Sequence, residues 1–569
     1  MVNEQYKLWS EKAIGDPDLA KELKEMSGNE ELISDAFYKN LEFGTAGLRG
    51  VIGAGTNRMN VYTVGQASQG LAAYVNSVTK NGKIAIAYDS RIKSDVFARV
   101  AAAIFAANGI KVYIYKELMP TPMLSFAVRK LKCDAGVVVT ASHNPAKYNG
   151  YKAYGPDGSQ LGPEAANFVL SIMQSVDIFS GVKTTDYDEA VKSGIIEYIG
   201  DDIINEYLDN VEAQRVEPNA DLSDLRVVYT PLNGAGNKPV QAILQRLGIN
   251  NVAVVPEQEK PDGNFPTAPY PNPEIRQAFE CALKLAETYN PDILLATDPD
   301  SDRVGIAVNM QGGYKLFSGN DVGVLLLNYI LERRSANGTL PKNPLAVKTI
   351  VSTELCQKIA DDYGCTLVNV LTGFKFIGEQ ITILAEKNEQ DRYIFGFEES
   401  YGYLAGSYAR DKDAVVASML ICEMTAYYKA QGKTLGDVLN GIYEKYGFYY
   451  TEQKSFTCEG QSGMEKIKDI MSGLRKNAPE EIDGFKVIKI NDYGDSISIN
   501  TLSGEKTVLT LPKSNVLCYF LENGSSFIVR PSGTEPKIKI YVCAVGSSSE
   551  DGEQKKLRLV DAGSKILGF

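Results

Sequence analysis

The sequence predicts three tandem α/β domains with mixed, largely parallel sheets, followed by a C-terminal α+β domain. Up to about residue 450, short apolar runs typical of buried strands alternate with helical windows. This alternation begins anew twice along the chain, which indicates three consecutive units of the same kind. Beyond that point β-like runs follow one another with two helical stretches among them, a pattern typical of an antiparallel sheet.

The first unit opens with about forty residues of helical pattern, followed by a glycine-rich loop at residues 44–55. Apolar runs at residues 84–88, 111–115 and 135–140 predict buried strands, and helical windows lie between them. Strand, helix and strand in this order predict right-handed crossovers and parallel pairing.

The later units are recognised by the points at which the pattern restarts. The strand-like run RVVYT starts the second unit at residues 226–230, and AVKTIVS starts the third at residues 346–352. We therefore predict that domains I to IV cover residues 1–205, 206–317, 318–448 and 449–569.

The composition of the 569 residues is that of a folded globular protein, with 44% hydrophobic and 23% charged residues. It supplies enough apolar material for several cores and excludes a disordered chain, a fibre and a disulfide-dependent miniprotein. The net charge is −12, so the surface should on average repel nucleic acid and acidic membranes. We expect neither as a partner, and a small anionic substrate would need a local basic pocket.

From the sequence we expect neither a secretory signal nor a membrane span. The start of the sequence lacks a basic stretch followed by an apolar one, and no apolar run approaches about 18 residues. The eight cysteines are scattered without a CxxC pair, which favours reduced thiols and a cytoplasmic location. The only histidine is His143, so a histidine-based zinc site or a serine triad would have to use it.

The strand-like run that ends at Thr140 leads directly into the loop ASHNP, residues 141–145. Ligands bind at the carboxyl ends of parallel strands, so Ser142 is well placed to act as a nucleophile. A simple turn capped by Asn-Pro is the alternative interpretation. His143 and the nearby Lys152 favour a functional loop, because both can move protons and Lys152 can also contact a phosphate.

Three aspartates at alternate positions follow the predicted strand ILLAT: Asp298, Asp300 and Asp302. Packing three like charges together is unfavourable unless a cation neutralises them, and all-oxygen ligands suit Mg²⁺ or Ca²⁺. An EF-hand is excluded, because Arg303 stands at the position that requires glycine and Asn309 at that of the bidentate glutamate. A solvated acidic turn remains the alternative. Arg303 favours a site, since it can hold an anion beside the cation.

Further loops have the chemistry to recognise a phosphorylated sugar, although each could also be a plain turn. Glu398 and Ser400 offer carboxylate and hydroxyl oxygens that can bind vicinal sugar hydroxyls. The loop RPSGTEPK combines a cation, hydroxyls and open backbone N–H groups in the manner of a phosphate cradle, through Arg530, Ser532, Gly533, Thr534 and Lys537. Candidates of the same kind near the N-terminus are Thr45 and Arg49.

A last candidate is Lys412, which lies in the charged run RDKD at residues 410–413. Its alternative role is an ordinary charge cluster at a helix start. Taken together, the serine loop, the aspartate loop, the sugar-like loop and the phosphate cradle fall in four successive domains. This constellation predicts a site that moves a phosphoryl group on a sugar phosphate.

The motifs TASHNP, DPDSDR, GFEESYGY and RPSGTEPKIKIYV resemble, in order, the four signature loops of the α-D-phosphohexomutase superfamily. FGTAGLRG and DGNFPTAPYPNPE are also similar to family segments, and the resemblance spans essentially the whole chain. The chain length and the GFEES loop resemble the phosphoglucomutase branch, including its longer form related to phosphopentomutases. The family fold implies four domains around a central cleft.

The resemblance also implies roles for the candidate residues. Ser142 would be carried as phosphoserine and would hold one Mg²⁺ together with Asp298, Asp300 and Asp302, while Arg303 contacts the phosphoserine. The transferring group would have Lys152 and His143 beside it. Lys412 is carried over less directly, because Ala414 stands where the family often has glycine. Sugar hydroxyls would be bound by Glu398 and Ser400, and the non-reacting phosphate by Arg530, Ser532, Gly533, Thr534 and Lys537.

The implied activity is a cytoplasmic isomerase of carbohydrate metabolism that interconverts glucose 1-phosphate and glucose 6-phosphate, acting as a monomer or homodimer. Glucose 1,6-bisphosphate would be both intermediate and activator. A phosphopentomutase or phosphomannomutase would use the same machinery. A regulator that binds phosphosugars without catalysis should lack the serine or an aspartate, and an aspartyl phosphatase would not need the serine loop.

Overall fold

The computed structural model describes residues 2–44, 47–310, 312–458, 460–532 and 537–569. The chain forms two compact units. The first contains Met1–Gly319, Ile377–Phe395 and Ser400–Gly432, and the second contains Asn320–Phe376, Gly396–Glu399 and Lys433–Phe569. Helices and strands alternate in the way that the sequence predicts.

The first unit begins with three helices: α1 (Val2–Lys12), α2 (Pro17–Glu25) and α3 (Glu30–Phe37). They pack around Trp9, which is fully buried, and Phe37. The following strands are β1 (Gly47–Val51), β2 (Lys83–Tyr88), β3 (Lys111–Tyr115), β4 (Ala135–Val139), β5 (Tyr148–Tyr154) and β6 (Ile196–Ile199). The helices among and after them are α4 (Val61–Val78), α5 (Ser94–Ala107), α6 (Thr121–Lys130), α7 (Pro163–Ser175), α8 (Tyr187–Lys192) and α9 (Asp201–Glu212).

These strands form a mixed sheet in the order β1-β5-β4-β2-β3-β6. Strand β2 pairs in parallel with β3 and β4, and β3 pairs in parallel with β6. Strand β5 runs antiparallel to both β4 and β1. The loop that carries Ser142 is therefore the connection between two antiparallel neighbours, and not the start of a helical crossover.

A second mixed sheet in the same unit has the order β11-β10-β9-β7-β8. Its segments are β7 (Arg226–Thr230), α10 (Asn237–Arg246), β8 (Asn251–Val254), α11 (Pro256–Glu259), α12 (Glu280–Tyr289), β9 (Ile293–Thr297), β10 (Val304–Met310) and β11 (Gly313–Phe317). Strand β7 is parallel to β8 and β9, whereas β10 is antiparallel to β9 and β11. The aspartate loop thus joins two antiparallel neighbours, β9 and β10, just as the serine loop joins β4 and β5.

The next stretch of chain contributes to both units. Its elements are α13 (Gly319–Ala336), β12 (Leu345–Thr349), α14 (Leu355–Asp362), β13 (Thr366–Val370), α15 (Phe374–Glu386), β14 (Tyr393–Glu398), β15 (Gly402–Leu404), α16 (Ala414–Lys429) and α17 (Leu435–Tyr446). Strands β12 and β13, both in the second unit, pair in parallel. Helix α16, in the first unit, begins at the N-cap Asp413, whose carboxylate accepts hydrogen bonds from Val415 N and Val416 N.

The C-terminal part of the second unit is an antiparallel sheet with the order β16-β23-β22-β21-β18-β19-β20, and β17 pairs with β18. Its elements are β16 (Phe448–Thr457), α18 (Gly460–Lys476), β17 (Glu481–Ile482), β18 (Phe485–Asp492), β19 (Ile497–Asn500), β20 (Lys506–Val508), β21 (Leu517–Leu521), β22 (Ser526–Pro531), β23 (Lys537–Gly546) and α19 (Ser549–Ile566). This confirms the predicted α+β domain. No helix among the described residues is both long enough and apolar enough to cross a bilayer.

Candidate active site

Three buried carboxylates converge in the loop between β9 and β10. One carboxylate oxygen from each of Asp298, Asp300 and Asp302 lies within 4.8 Å of the others. All three residues are at most 1% exposed. Strand β9 is apolar and buried along its length, so it carries the loop that follows it into the interior of the unit.

The carboxylates have unused coordinating capacity. Within the described ranges, Asp300 Oδ1 and Asp302 Oδ1 are buried without a hydrogen-bond partner. Burial, together with the neighbouring charges of Asp300 and Asp302, raises the pKa of Asp298 well above its usual value. Oxygen donors packed in this way fit a hard divalent cation, which would satisfy the free oxygens and neutralise the repulsion. The triad can therefore hold a metal ion.

Ser142 lies against this triad. Its hydroxyl donates a hydrogen bond to Asp298 Oδ2 at 3.0 Å, across 156 residues of sequence. Its backbone has φ of +53°, a left-handed conformation that costs a non-glycine residue about 1–2 kcal/mol. Thr140 Oγ1 accepts a hydrogen bond from Ser142 N at 2.8 Å, which stabilises the turn. The serine and aspartate loops that the sequence singled out separately thus form one site.

His143 also contacts the serine hydroxyl, with Nδ1 3.2 Å from Ser142 Oγ. Burial lowers the pKa of His143 well below its usual value, and the positive charge of Arg303 adds to the effect. The imidazole is therefore neutral at physiological pH and can accept a proton.

Two lysines compensate the negative charge of the triad. Lys152 Nζ lies 2.7 Å from Asp300 Oδ2 and 3.5 Å from Asp302 Oδ2. Burial alone would raise the pKa of Asp300 and lower that of Lys152. Their mutual attraction reverses both shifts, so the carboxyl pKa is low and the amine pKa is high. Lys412 Nζ lies 2.8 Å from Asp302 Oδ2 and 3.3 Å from Asp411 Oδ1.

Arg303 links the aspartate loop to a neighbouring segment. Its backbone N–H donates to Asp298 Oδ1 at 3.0 Å, and its Nη1 lies 2.6 Å from Glu274 Oε1. Glu274 is the last residue of the segment DGNFPTAPYPNPE. Sequence reasoning expected an anion beside Arg303 but did not identify this carboxylate.

Two further residues near the site were not identified from the sequence. Thr121 Oγ1, at the start of α6, donates to Asp300 Oδ2 at 3.0 Å. Arg91, which lies between β2 and α5, contacts the backbone of the serine loop. Neither residue lies in a stretch of evident chemistry. The local signal, a hydroxyl at a helix start and an arginine after a strand, is common in proteins.

The second unit contains Glu398 and Arg530. Gly373 N donates to Glu398 Oε1 at 2.7 Å, and Thr349 Oγ1 donates to the neighbouring Glu399 Oε2 at 2.9 Å. Burial and the charge of Glu398 raise the pKa of Glu399 to about 7. Arg530 Nη1 donates to Tyr541 Oη at 3.4 Å, a long hydrogen bond. Glu398 and Arg530 are thus placed by neighbours within their own unit.

The remaining candidate residues that the structure describes lie on or next to strands. Ser532 N donates a hydrogen bond to Lys537 O at 2.8 Å. Ser400 is half-buried in the turn after β14, and Arg49 is exposed on β1 opposite Gly150 of β5. Thr45, Gly533 and Thr534 lie outside the described residues.

Comparison with known proteins gives four successive family matches. Residues 40–178, 205–312 and 318–446 match the phosphoglucomutase/phosphomannomutase alpha/beta/alpha domains I, II and III, respectively. Residues 482–558 match the C-terminal domain of the same family. The chain is 39% identical over 557 residues to a phosphoglucomutase of Staphylococcus aureus, a match that covers 96% of this chain and 97% of the relative.

Two solved structures share the fold. One is a phosphoglucomutase/phosphomannomutase family protein from Burkholderia thailandensis, with TM-score 0.65 and 17% identity over 92% of this chain and 97% of that one. The other is parafusin, a phosphoglucomutase from Paramecium, with TM-score 0.68 and 17% identity over 93% of this chain and 95% of that one. At this identity the likeness concerns the fold alone.

Proposed function

Because this chain belongs to the phosphoglucomutase/phosphomannomutase family, we propose that it interconverts glucose 1-phosphate and glucose 6-phosphate. It would do so as a phosphohexomutase of the isomerase class. The observation that carries the proposal is the 3.0 Å contact between Ser142 Oγ and Asp298 in a buried carboxylate triad. A hydroxyl at a cation site is the arrangement that phosphoryl transfer through serine requires.

The proposed cycle conserves one phosphoryl group. Phosphorylated Ser142 transfers its phosphoryl group to the 6-hydroxyl of glucose 1-phosphate, so the bond from Oγ to phosphorus breaks as a bond from O6 to phosphorus forms. The resulting glucose 1,6-bisphosphate turns around, and Ser142 Oγ accepts the phosphoryl group from O1. Glucose 6-phosphate leaves, and the phosphoserine is restored.

Two protons move in each half of the cycle. The attacking hydroxyl must lose a proton, and the departing oxygen must gain one. His143, Lys152 and Lys412 are the candidates for these roles, since each contacts Ser142 or an aspartate of the triad. The two lysines would also stabilise negative charge on the group in transfer.

We assign the cation as one Mg²⁺ per chain, held by Asp298, Asp300, Asp302 and the phosphate on Ser142. When bound, it would neutralise charge on the phosphoryl oxygens. Arg303 would contribute in the same way by contacting the phosphoserine. Its ion pair with Glu274 holds the guanidinium beside the aspartate loop.

Substrate recognition is proposed for the other candidate residues. Glu398 and Ser400 would bind sugar hydroxyls, with Thr45 and Arg49 as further contacts. The non-reacting phosphate would be bound by a set of cationic, hydroxyl and backbone groups, namely Arg530, Ser532, Gly533, Thr534 and Lys537.

We retain the domain boundaries at residues 205, 317 and 448 as proposals. The eight cysteines are free and seven of them are buried, which supports a reducing, cytoplasmic location.

The function is tested with fully dephosphorylated protein and a panel of sugar 1-phosphates followed by ³¹P NMR. We expect no turnover until a catalytic amount of glucose 1,6-bisphosphate is added, because the cycle cannot supply its own first phosphoryl group. Glucose 1-phosphate should then react faster than mannose or ribose 1-phosphate. Faster reaction of the pentose would assign a phosphopentomutase, and inorganic phosphate as the main product would contradict a mutase.

The phosphate-binding role of Arg530 predicts a kinetic defect in Arg530→Ala. Losing one charge-assisted partner costs about 1.5–3 kcal/mol, so catalytic efficiency should fall about 10- to 150-fold. Most of the loss should be a higher KM for glucose 1-phosphate, with Ser142 phosphorylation retained. Steady-state kinetics measure the KM, and the intact mass of the protein measures the phosphorylation of Ser142.

Arg558→Ala is the matched control for this variant. It removes an arginine from α19, whose Nε lies 3.0 Å from Asp483 Oδ2 and whose side chain is half exposed. Its kinetics should equal those of the wild type. Unchanged kinetics in Arg530→Ala would show that another group, with Arg49 the first alternative, binds the substrate phosphate.

A further inference from the structure

Arg91 is a fully buried arginine whose guanidinium is aimed at the serine loop. Its Nη1 donates to the carbonyl oxygens of Pro145 and Tyr148, each at 3.0 Å. Its Nη2 donates to the carbonyl oxygens of Ser142 and Asn144. One side chain therefore binds four carbonyl groups of residues 142–148.

Asp89 ties Arg91 to the strand that precedes the serine. Asp89 Oδ2 lies 3.3 Å from Arg91 Nε and accepts a hydrogen bond from Thr140 Oγ1 at 2.6 Å. Asp89 Oδ1 accepts from Ser94 Oγ at 2.7 Å. The pair thus joins the start of α5, the end of β4 and the loop beyond it.

The segment DGNF at residues 262–265 also packs against Arg91 and its neighbour Ile92. The guanidinium carbon of Arg91 lies over the ring of Phe265, 5.1 Å from its centroid. Phe265 is fully buried and has φ of +47°. A Cβ on Gly263 would lie 2.4 Å from Ile92 N, so only glycine allows this close approach. The guanidinium therefore packs against a segment whose own backbone approaches the residue that follows Arg91.

We infer that Arg91 is a positioning residue for phosphoryl transfer, which holds Ser142 Oγ against the aspartate loop by binding the carbonyl groups around it. The inference rests on the proposed function. Ser142 has a left-handed backbone that non-glycine residues rarely adopt, so its loop needs external contacts to keep that shape. Among the described residues, the hydrogen bonds and the ion pair of the Arg91 side chain go to carbonyl groups of the serine loop and to Asp89, and none goes to the three aspartates.

Arg91→Lys tests this role, because lysine keeps the charge but lacks the planar fork that serves several acceptors. We expect kcat to fall about 100-fold, the typical effect of displacing a reacting group by about 1 Å. KM for glucose 1-phosphate should stay within about threefold, since substrate contacts are intact. Phe265→Leu should give a weaker version of the same kcat effect, because Arg91 loses only its stacking partner.

The control is Arg215→Lys, which changes another mostly buried arginine of the same unit, paired with the fully buried Glu423 at 3.0 Å. It should lower the melting temperature and leave kcat unchanged. A merely structural role for Arg91 would give the same result. A folded Arg91→Lys protein with wild-type kcat overturns the inference, and if that variant does not fold, a folded Phe265→Leu protein with wild-type kcat does so.

Hydrogen exchange separates this inference from the proposed function. In Arg91→Lys, peptides that cover residues 140–148 should exchange about tenfold faster than in the wild type, whatever the catalytic activity. Peptides of the Arg215 region should not change. Unchanged exchange in the serine loop overturns the positioning role, whereas a wild-type protein without mutase activity contradicts only the proposed function.

Discussion

Replacing Ser142 with alanine is expected to abolish turnover while the protein stays folded. Removal of a covalent nucleophile costs on the order of 10⁶-fold in rate in other enzymes. The loss of stability is limited, because Ser142 Oγ makes one hydrogen bond to the Asp298 carboxylate and one contact with His143, worth about 1.5–3 kcal/mol and about 1 kcal/mol, respectively. Initial-rate assays with rigorously purified protein and a thermal unfolding curve measure both effects.

Ser68→Ala is the matched control for Ser142→Ala. Ser68 is a fully buried serine of the same unit whose hydroxyl lies 3.3 Å from Tyr151 Oη. Its replacement should leave the rate unchanged. If Ser142→Ala retained a tenth of the wild-type rate, or still took up phosphate from glucose 1,6-bisphosphate at that position, the covalent role of Ser142 would be wrong.

Replacing Asp300 with asparagine is expected to weaken metal binding and to slow transfer strongly. The change removes one ligand charge from the triad and the partner of Lys152, whose Nζ lies 2.7 Å from Asp300 Oδ2. Substitutions next to metal ligands already cost about 10- to 100-fold in affinity or activity, so we expect more than about 100-fold for a ligand itself. Titration calorimetry with Mg²⁺ measures affinity independently of the assay.

The control for Asp300→Asn is Asp221→Asn, which removes the same charge from an exposed turn where Asp221 accepts a hydrogen bond from Ser223 N. Metal affinity and rate should be those of the wild type. Full activity after exhaustive chelation, or unchanged Mg²⁺ affinity in Asp300→Asn, would contradict the assignment of the triad.

Much of the site chemistry could be predicted because it is local in sequence. Three aspartates at alternate positions after an apolar run repel one another wherever the loop goes, so a cation site could be inferred from residues 298–302 alone. Ser142 could be singled out in the same way, from its place after a buried strand and beside the only histidine. The alternation of strands and helices could likewise be predicted from the apolar periodicity of each segment.

The pairing of strands could not be predicted at two points that matter. Both β4 and β9 are apolar and fully buried, as expected for central strands. The strands that follow their loops, β5 and β10, turn back antiparallel. An apolar run reports burial and carries no information about direction, so the sequence left open whether each loop would start a helix or a hairpin.

The assembly of the site was decided by contacts between distant segments. Lys412 lies 110 residues beyond Asp302, yet its amine is 2.8 Å from that carboxylate. Glu274 contacts the aspartate loop and Arg91 contacts the serine loop, and both contacts join segments that are distant in sequence. Apolar periodicity and local charge repulsion act within a few residues, so both can be inferred from the sequence. Which buried cation meets which buried anion depends on how the sheets and loops pack, and that is settled only when the chain has folded.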